Sequence, residues 1–454
     1  MANAIAAIAT GNSASGIGVI RISGDNAIEV ADKVFRAMDG TPLSLLKGYT
    51  AKYGNVCDNG EEYDNAIALV FRAPKSYTGE DVVEISVHGG IFIVEKTLEA
   101  VLNAGAAPAQ AGEFTKRAFL NGKLDLAQAE SVASLISAQG EEAARASYNL
   151  LQGSLSNKIS AVLEKLIDCS ASMAAWVDYP DEEIPELEED TLINTLENAA
   201  AQLDVLIKNY ENGSSVTQGV DTAIVGKPNA GKSTLMNMLS GKEKSIVTHI
   251  KGTTRDIVEN SVRLGSIILH LSDTAGIHES EDVVEAIGIQ KALDRIESAS
   301  LILAVFDGAE PLNSDDEMLI NSCEGKSCIA VINKNDLPQR LDITAIENNF
   351  DKIVYISAKN EQGAQELEAA VKEVLGVTKV DTTQPILANK RQKLCVANAL
   401  DNVNQALDGA KMGVTYDAVN VMIDSAVDEL LTLTGKKATT EVVNNIFSRF
   451  CVGK

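Results

Sequence analysis

The chain has 454 residues, of which 45% are apolar, and its formal net charge at pH 7 is −25. This length predicts about two to four domains, and the apolar content is sufficient for packed cores. The acidic charge disfavours a surface that coats nucleic acid non-specifically, because neutralising phosphates requires clustered Lys and Arg. A polyanionic partner would therefore need a local basic patch or a second protein.

The composition also excludes several classes of site. The six cysteines contain no C-x-x-C pair and the four histidines lack ligand-like spacing, so we expect reduced thiols and no zinc site. No apolar run reaches membrane-spanning length, and Met1–Thr10 lacks the basic region of a signal peptide. The sequence therefore predicts a cytoplasmic protein with no membrane association.

Residues 1–120 are predicted to form a small α/β domain. Strand-like and helical patterns alternate, with strands at Ile5–Ala9, Gly18–Ile22, Ala66–Phe71 and Val82–Val87 and helices at Ala27–Ala37 and Ile93–Ala104. Arg21 follows a Gly-Ser-rich turn that could form an anion-binding nest, although ordinary turn chemistry accounts for the same composition. His88 precedes two glycines, a setting more typical of a turn residue than of a catalyst.

Helical patterns dominate two separate segments, residues 121–215 and residues 379–454. The acidic run Asp178–Asp190 within the first is either a solvated link between helices or a surface for a basic partner. The second segment contains helical patterns at Ile386–Leu407, Thr415–Thr434 and Thr440–Phe450. Because so few helices have a weak core alone, we expect both segments to form one helical domain, with residues 216–378 inserted between them.

The inserted segment opens with a phosphate-binding motif. Gly226–Ser233 fits G-x-x-x-x-G-K-[ST] and lies between a strand pattern, Thr222–Val225, and a helical pattern, Thr234–Leu239. The glycines allow backbone N–H groups to close around phosphate oxygens, Lys232 neutralises them, and the Ser233 hydroxyl can ligate Mg²⁺.

Four further motifs follow in the order that a GTPase requires. Thr254, in Gly252–Asp256, offers a second hydroxyl for the metal, and the strand pattern Ile267–Leu271 leads to Asp273-Thr274-Ala275-Gly276. The strand pattern Cys328–Ile332 leads to Asn333-Lys334-Asn335-Asp336, where Asp336 can accept two hydrogen bonds from the N1 and N2 edge of guanine. Ser357-Ala358-Lys359 places a backbone N–H near guanine O6. The predicted nucleotide is GTP.

The position that often holds a water-orienting glutamine after Asp-Thr-Ala-Gly is occupied by Ile277. Glu285 is a candidate for that role, with Glu279, Glu281 and Asp282 as competitors. Arg255 could supply the positive charge that phosphoryl transfer needs, or could be a structural switch residue. Asn229 could hold a monovalent cation at the phosphate loop, or could only cap the loop.

The chain ends in Phe450-Cys451-Val452-Gly453-Lys454, which is not a prenylation box because Gly and Lys are wrong at its last positions. The Cys451 thiol is either buried and inert or reactive, and the residues alone favour neither reading.

Across nearly its full length, the sequence resembles the MnmE (TrmE) family of bacterial tRNA-modification GTPases. The segments that carry the resemblance are Gly18–Gly24, Tyr77–Asp81, Gly112–Thr115 with Arg117–Asn121, Lys123–Glu130, the phosphate loop and Cys451–Lys454. Two positions depart from the family pattern, Ala111 in place of a proline and Val87 in place of a glycine or cysteine.

The resemblance implies a homodimer formed through N-terminal domains that bind a tetrahydrofolate derivative, 5-formyl or 5,10-methylene. The residues at the matching folate positions are Arg21, Glu84, Lys123 and Lys454. It further implies a heterotetramer with the partner MnmG, which carries FAD, and modification of C5 of the wobble uridine in certain tRNAs by an aminomethyl or carboxymethylaminomethyl group. Cys451 matches a family cysteine that this modification needs.

The resemblance also implies that the GTPase domains of the dimer meet across their nucleotide faces when potassium is bound. The matching potassium positions are Asn229, Thr248, Ile250 and Thr253, the magnesium positions are Ser233 and Thr254, and Glu285 is the water-orienting residue. With Arg255 and Cys451, Glu285 completes the predicted catalytic set. The predicted GTP-binding set is Asn229, Ala230, Gly231, Lys232, Ser233, Thr234, Thr248, Thr253, Thr254, Asp273, Thr274, Ala275, Gly276, Asn333, Lys334, Asp336, Ser357 and Ala358.

The predicted architecture is thus multidomain, with α/β and all-α parts. It comprises an N-terminal α/β folate-binding-like domain, a helical domain that ends in Cys-Val-Gly-Lys, and an inserted Ras-like P-loop GTPase domain. One alternative is a GTP-switch ribosome-assembly factor, which is disfavoured because no basic or KH-like RNA-binding module follows the GTPase segment. Another is a folate enzyme with a regulatory GTPase, which predicts folate turnover without tRNA.

Overall fold

The computed structural model describes residues 4–11, 13–138, 140–178, 189–217, 219–241, 261–265, 267–271, 296–297, 299–376 and 385–453. These residues belong to two compact units. The first unit contains residues 4–133 together with 430–453, and the second contains the described residues of 134–429 outside the segments already assigned. Most of the acidic run Asp178–Asp190 lies outside the described residues. None of the described helices is long and apolar enough to cross a membrane.

A seven-stranded sheet forms the centre of the first unit. Its strands are β1 (Ile5–Ile8), β2 (Ile17–Ser23), β3 (Phe35–Ala37), β4 (Thr50–Asp58), β5 (Glu61–Phe71), β6 (Val82–His88) and β7 (Ala107–Pro108), in the spatial order β3-β4-β5-β6-β2-β1-β7. All neighbours pair antiparallel except β1 and β7. Alternate residues such as Ile20, Ile22, Val83 and Ile85 are buried, because successive side chains of a strand point to opposite faces.

Helices α1 (Ala27–Val34) and α2 (Ile91–Asn103) pack on the buried face of this sheet, and α3 (Glu113–Leu120) follows β7. The predicted helix Ala27–Ala37 is wrong at its end. Phe35–Ala37 leave the helix and pair antiparallel with Val56, Asn55 and Gly54 of β4, so that strand pairing overrides the local helical pattern. The predicted strand Ala66–Phe71 is confirmed as the last part of the longer β5.

The helical part consists of α4 (Leu126–Ser137), α5 (Glu141–Leu151), α6 (Ser154–Asp178) and α7 (Glu189–Thr217) before the inserted sheet. It continues after the sheet with α12 (Lys390–Lys411), α13 (Tyr416–Thr434) and α14 (Thr440–Phe447). Helix α12 packs along α7, so helices from before and after the insertion are in contact. Helix α12 begins four residues later than predicted, because the Asn389 side chain caps it by accepting a hydrogen bond from Gln392 N at 2.9 Å.

The insertion contains a six-stranded sheet. Its strands are β8 (Val220–Val225), β9 (Ser261–Leu264), β10 (Ile267–Leu271), β11 (Leu301–Asp307), β12 (Cys328–Asn333) and β13 (Lys352–Tyr355), in the order β13-β12-β11-β8-β10-β9. All pairs are parallel except β9 with β10. Its described helices are α8 (Lys232–Gly241), α9 (Ser314–Ser322), α10 (Thr344–Glu347) and α11 (Ala364–Val374). In such sheets ligands bind at the carboxyl ends of the strands, where β8 and β12 deliver the phosphate-loop and guanine motifs.

Candidate functional site

The loop between β8 and α8 has a backbone that two glycines make possible. Gly226 has φ +154°, and a Cβ there would lie 2.4 Å from the Val305 carbonyl oxygen. Gly231 has φ +101°, and a Cβ there would lie 2.0 Å from Nδ2 of Asn333. Any larger residue at either position would therefore meet both an unfavourable backbone conformation and a steric clash.

Lys232 begins α8 and folds back over the loop. Its Nζ donates hydrogen bonds to the carbonyl oxygens of Gly226 at 2.7 Å and Lys227 at 2.8 Å. Burial lowers the pKa of Lys232, because the charged ammonium is removed from water. A phosphate placed at this loop would restore a favourable environment for that charge.

The first turn of α8 adds hydroxyl groups and backbone N–H groups to the same place. Ser233 and Thr234 are exposed there, so both hydroxyls are accessible to a ligand. The N-terminal N–H groups of a helix point along its axis and carry partial positive charge, which favours a bound phosphate. Asn229 is also exposed and has φ +62°, a left-handed conformation that Asn tolerates better than most residues. Together these groups fit a nucleotide phosphate and a metal-ligating hydroxyl.

Asn333 connects the phosphate loop to the guanine motifs. Its Nδ2 donates to the Ala230 carbonyl oxygen at 2.9 Å, and its Oδ1 accepts from Ala358 N at 3.0 Å. All three residues are buried. One carboxamide therefore holds three sequence-distant segments in one arrangement.

Asp336 lies at the exposed edge of this arrangement. The Ser357 hydroxyl donates to Asp336 Oδ1 at 2.6 Å, and this bond is the main cause of the lowered pKa of Asp336, with its own backbone N–H, Lys359 and Lys334 contributing further. Asp336 is therefore ionised at neutral pH and can accept hydrogen bonds through its second oxygen. Lys334, at φ +64°, forms an ion pair with the buried carboxylate of Asp307, which fixes the loop backbone.

A second group of polar residues lies in the first unit, where Arg21 of β2 faces Glu84 of β6. The two residues are cross-strand partners, and Arg21 Nε is 2.8 Å from Glu84 Oε1. The Arg21 guanidinium lies 5.6 Å from the ring centroids of both Tyr77 and Phe114, within cation–π range. Its Nη1 donates to the Gly453 carbonyl oxygen at 3.4 Å, which joins the end of the chain to this corner.

Lys123, which follows α3, contacts the loop that precedes β6. Lys123 Nζ donates to the Pro74 carbonyl oxygen at 3.1 Å, and Asn121 Nδ2 donates to the Thr78 carbonyl oxygen at 2.7 Å. A Cβ at Gly79 would lie 3.1 Å from Asn121 Cβ, so the two segments are closely packed. Lys123 itself is exposed.

The C-terminal tail is fixed to the first unit by backbone contacts. Val452 forms an antiparallel bridge with Ala111, and Gly112 N donates to the Cys451 carbonyl oxygen at 3.3 Å. Gly453 has φ +99°, and a Cβ there would lie 2.3 Å from the Ile8 carbonyl oxygen. Cys451 is half-buried, whereas the other five cysteines are buried, and all six are free thiols.

Comparison with known proteins identifies the family. A model described as the MnmE helical domain matches residues 126–451, and one described as the N-terminus of GTP-binding protein TrmE matches residues 4–123. The tRNA modification GTPase MnmE of Acetivibrio thermocellus is 39% identical over 455 residues, covering 99% of both chains. This chain belongs to the MnmE (TrmE) family of tRNA modification GTPases.

Two further MnmE relatives agree with that membership. The MnmE proteins of Clostridioides difficile and Lachnoclostridium phytofermentans are 37% and 39% identical, each covering 99% of both chains. Among solved structures, the FeoB G-domain from Methanococcus jannaschii is 22% identical, covers 35% of this chain and 98% of that one, and has a TM-score of 0.26. As an MnmE-family protein, the chain is a GTP hydrolase that acts in tRNA modification and uses GTP with Mg²⁺.

Several predicted site residues lie outside the described residues. They are Thr248, Ile250, Thr253, Thr254, Arg255, Asp273, Thr274, Ala275, Gly276, Glu285 and Lys454. Among the described ones, the structure brings together Ala230, Gly231, Lys232, Asn333 and Ala358 around the phosphate loop, and it pairs Asp336 with Ser357.

Sequence reasoning missed an ion-pair network behind Arg21. Arg117 Nη1 lies 3.1 Å from Glu80 Oε2, and Arg117 Nη2 lies 3.0 Å from Glu113 Oε1. Ser23 Oγ donates to Glu80 Oε2 at 2.7 Å. Glu80, Glu113 and Arg117 belong to segments that carry the family resemblance, which was a usable signal, but only the fold shows that Ser23 joins them.

Proposed function

We propose that this chain is a potassium-dependent GTPase that works with the flavoprotein MnmG to modify C5 of the wobble uridine of certain tRNAs. The group added is of the aminomethyl or carboxymethylaminomethyl type, and a tetrahydrofolate derivative supplies its one-carbon unit. The observation that carries the proposal is the match to MnmE proteins over 99% of the chain, which includes the N-terminal unit and the tail as well as the GTPase segment. A general GTP switch would leave those other parts without a task.

Within the proposal, the residues of the phosphate loop bind the nucleotide. Backbone N–H groups of Asn229–Thr234 and the Lys232 ammonium hold the phosphates, and the Ser233 hydroxyl, with Thr254, holds Mg²⁺. Burial lowers the pKa of Lys232, and this supports the assignment, since an anion bound there would stabilise the protonated ammonium. Asp336 recognises the guanine N1 and N2 edge, Ala358 N lies near O6, and Asn333, Lys334 and Ser357 hold these groups in position.

The hydrolytic step needs water orientation and positive charge, which the described loop does not supply by itself. Ile277 has no polar atom to orient water, so we assign that role to Glu285, as the family resemblance implies. Asn229 offers a side-chain oxygen at the phosphate loop where a monovalent cation can neutralise developing charge. Thr248, Ile250 and Thr253 complete the proposed potassium set, and Arg255 is kept as an additional source of charge.

The residues around Arg21, namely Glu84, Tyr77 and Phe114, form the proposed folate site. Folates combine a ring with N–H donors and an acidic glutamate tail, so they suit a carboxylate and cations placed near aromatic rings. Glu84 supplies the carboxylate and Arg21 supplies a cation, and the rings of Tyr77 and Phe114 lie beside the guanidinium. Lys123 and Lys454 are the further cations of the proposed set. A homodimer formed through these N-terminal units is part of the same proposal.

Cys451 is the proposed reactive group of the modification reaction. Its backbone is held against Gly112, and the residue is only half-buried, whereas the other five cysteines are buried, which supports this choice of thiol. We propose that it acts in a heterotetramer with MnmG, which carries FAD, in the cytoplasm, where the tRNA substrate is found.

Mass spectrometry of tRNA nucleosides tests this function directly. Cells that lack the gene should lose the C5-modified wobble uridine, and the wild-type gene should restore it while the Cys451→Ser variant should not. An unchanged nucleoside profile in the deletion strain would reject the modification function. It would favour a GTP-switch ribosome-assembly factor instead, which is tested by ribosomal-subunit profiles of the same cells.

The potassium dependence has its own test. GTP hydrolysis should be at least about tenfold faster in KCl than in NaCl, because the smaller sodium ion fits the same oxygen ligands poorly. Glu285→Ala should lose hydrolysis and keep GTP affinity. Equal rates in the two salts would reject the cation mechanism without affecting the tRNA assignment.

A further inference from the structure

The charge of the chain is reversed locally in two segments, residues 111–123 and 430–454. They make up less than a tenth of the chain, yet they carry seven of its 39 basic residues and only two of its 64 acidic ones. In a protein of net charge −25, such a reversal lowers the electrostatic repulsion that a polyanion would meet on approach. Both segments belong to the first structural unit.

The fold joins the two segments along helix α3. Helix α14 packs against α3, with the rings of Phe119 and Phe447 6.3 Å apart. Lys116 Nζ of α3 donates to Asn444 Oδ1 of α14 at 2.7 Å. The bond from Gly112 N to the Cys451 carbonyl oxygen closes the N-terminal end of α3 against the tail.

The turn that follows α13 packs on the other end of α3. A Cβ on Gly435 would lie 2.8 Å from both Phe119 Cε2 and Leu126 Cβ, so this turn lies directly on the C-terminal end of α3. Lys436 and Lys437 follow Gly435 and are exposed. Basic residues therefore occur at both ends of α3, since Arg449 lies close to the N-terminal end through its neighbour Phe450, which packs on Gly112.

We define the basic surface as Lys116, Lys436, Lys437 and Arg449. Three of the four are exposed, and Lys116 is half-buried. Of the two acidic residues in these segments, Glu113 is bonded to Arg117 Nη2 at 3.0 Å and to Gln110 N at 2.7 Å. Glu441 is exposed and is the acidic residue of these segments that still opposes the positive charge of this surface.

We propose that the basic surface binds the phosphate backbone of the tRNA beside Cys451. This inference rests on the proposed function and adds to it the place where this chain contacts the RNA. An α-helix of eight residues is about 12 Å long, so the cations along α3 span on the order of three successive phosphates of one strand. Exposed basic side chains suit phosphates, which need charge and not a shaped pocket. The acidic charge of the rest of the chain repels other approaches and favours this one.

The test compares two charge-reversal variants of the full chain. The first carries Lys436→Glu, Lys437→Glu and Arg449→Glu. The matched control carries Lys33→Glu, Arg36→Glu and Lys47→Glu, which reverse two exposed lysines and one exposed arginine of the same unit. Arg36 belongs to β3, at the opposite edge of the sheet from β7, which leads into α3. Both variants should hydrolyse GTP at the wild-type rate, and both should keep the wild-type circular-dichroism spectrum and thermal-unfolding curve, which report that the substituted unit folds.

Binding is measured by fluorescence anisotropy with a labelled tRNA transcript at salt concentrations between about 50 and 200 mM, where each lost phosphate contact lowers the salt-dependence slope by about 0.7 to 0.9. The basic-surface variant should bind at least about tenfold more weakly at about 100 mM salt and should lose about two units of slope. The control should keep the wild-type slope. An unchanged slope in the first variant, an equal loss in both variants, or no binding by the wild type would overturn the proposal.

Two further outcomes distinguish this proposal from a protein-binding role of the same surface and from failure of the proposed function. If the first variant keeps its tRNA affinity but no longer co-elutes with the flavoprotein partner, the surface binds a protein and the RNA proposal is wrong. If the wild-type gene fails to restore the modified nucleoside in the deletion strain, the proposed function itself is wrong, whatever the binding data show. Loss of tRNA binding by the first variant, with the modification restored by the wild type, supports both.

Discussion

Asn333 and Ala230 are 103 residues apart in sequence, and the Asn333 side-chain amide donates a 2.9 Å hydrogen bond to the Ala230 carbonyl oxygen. The other end of the same carboxamide accepts a 3.0 Å bond from Ala358 N. The loop that we assign to the phosphates and the loop that we assign to guanine O6 are thus held by one buried side chain. Nucleotide affinity should therefore depend on a residue whose amide nitrogen and oxygen are each already hydrogen-bonded within the protein.

Replacing that amide should weaken both folding and nucleotide binding. Asn333→Ala leaves a buried carbonyl oxygen and a buried N–H without partners, which costs about 1–3 kcal/mol for each group. We expect GDP affinity to fall by at least about tenfold and the unfolding temperature of the GTPase segment to fall by several degrees. Calorimetric titration and thermal denaturation measure the two effects. The control is Asn335→Ala, an exposed asparagine of the same loop, which should change neither quantity.

The base preference should follow the side chain at position 336. Asp336→Asn replaces two carboxylate acceptors with one carbonyl acceptor and one amide donor. The variant should therefore no longer accept a hydrogen bond from the N2 amino group of guanine, and it should donate one to the 2-oxo group of xanthine. We expect GTP hydrolysis to fall by at least about 100-fold and XTP hydrolysis to become measurable, as determined by phosphate release. Asp342→Asn, at another exposed aspartate, is the control. Unaltered preference for GTP would remove Asp336 from the base-recognition role.

Lys232 should make nucleotide affinity depend on alkaline pH. Its pKa is lowered by burial in the free protein, and bound phosphates should raise it again by favouring the charged form. Below the lowered pKa, Lys232 is protonated with or without nucleotide, so affinity is constant. As pH rises through that pKa, binding must take up a proton and affinity should fall by up to about tenfold per pH unit. GDP titrations between about pH 8 and 10.5 measure this. Guanine N1 also loses its proton in this range, so the decline caused by Lys232 is the part that the Lys232→Met variant lacks.

Local motifs predicted the phosphate loop, its flanking strand and helix, and the strand that leads to the guanine motif, because each depends on residues close in sequence. Phe35–Ala37 were predicted as helix because their partner strand, β4, lies outside any local window. The contact between Arg21 and Gly453 joins residues 432 positions apart, so no periodicity or spacing could indicate it. The resemblance to a family names Arg21 and Lys454 together, and the fold links Arg21 to Gly453, the residue before Lys454 in the sequence.

Thiol chemistry should distinguish Cys451 from the other cysteines. Burial raises the pKa of Cys57 and raises that of Cys169 to about 11, and all cysteines except Cys451 are buried. The thiolate is the reactive form, so the native chain should react rapidly with one equivalent of an aromatic disulfide reagent, followed at 412 nm. Cys451→Ser should abolish that rapid phase, while Cys395→Ser should retain it. Two or more rapid equivalents in the native protein would contradict the assignment.

Gly453 should control how firmly the tail is held. Gly453→Ala places a Cβ 2.3 Å from the Ile8 carbonyl oxygen and adds the cost of a left-handed conformation for a non-glycine residue, about 1–2 kcal/mol. Because the contacting atom belongs to a backbone strand, the tail must move instead, which removes the Gly453 carbonyl oxygen from Arg21 and exposes Cys451 further. Thiol labelling of Cys451 should therefore become at least about threefold faster, while GTP hydrolysis should be unchanged.

Gly60→Ala is the matched control, because Gly60 has φ +88° but nothing within 4 Å of its Cβ position, so it isolates the conformational cost from the clash. Labelling as slow as in the wild type would mean that the tail tolerates the added methyl group and is not fixed by the contact with β1.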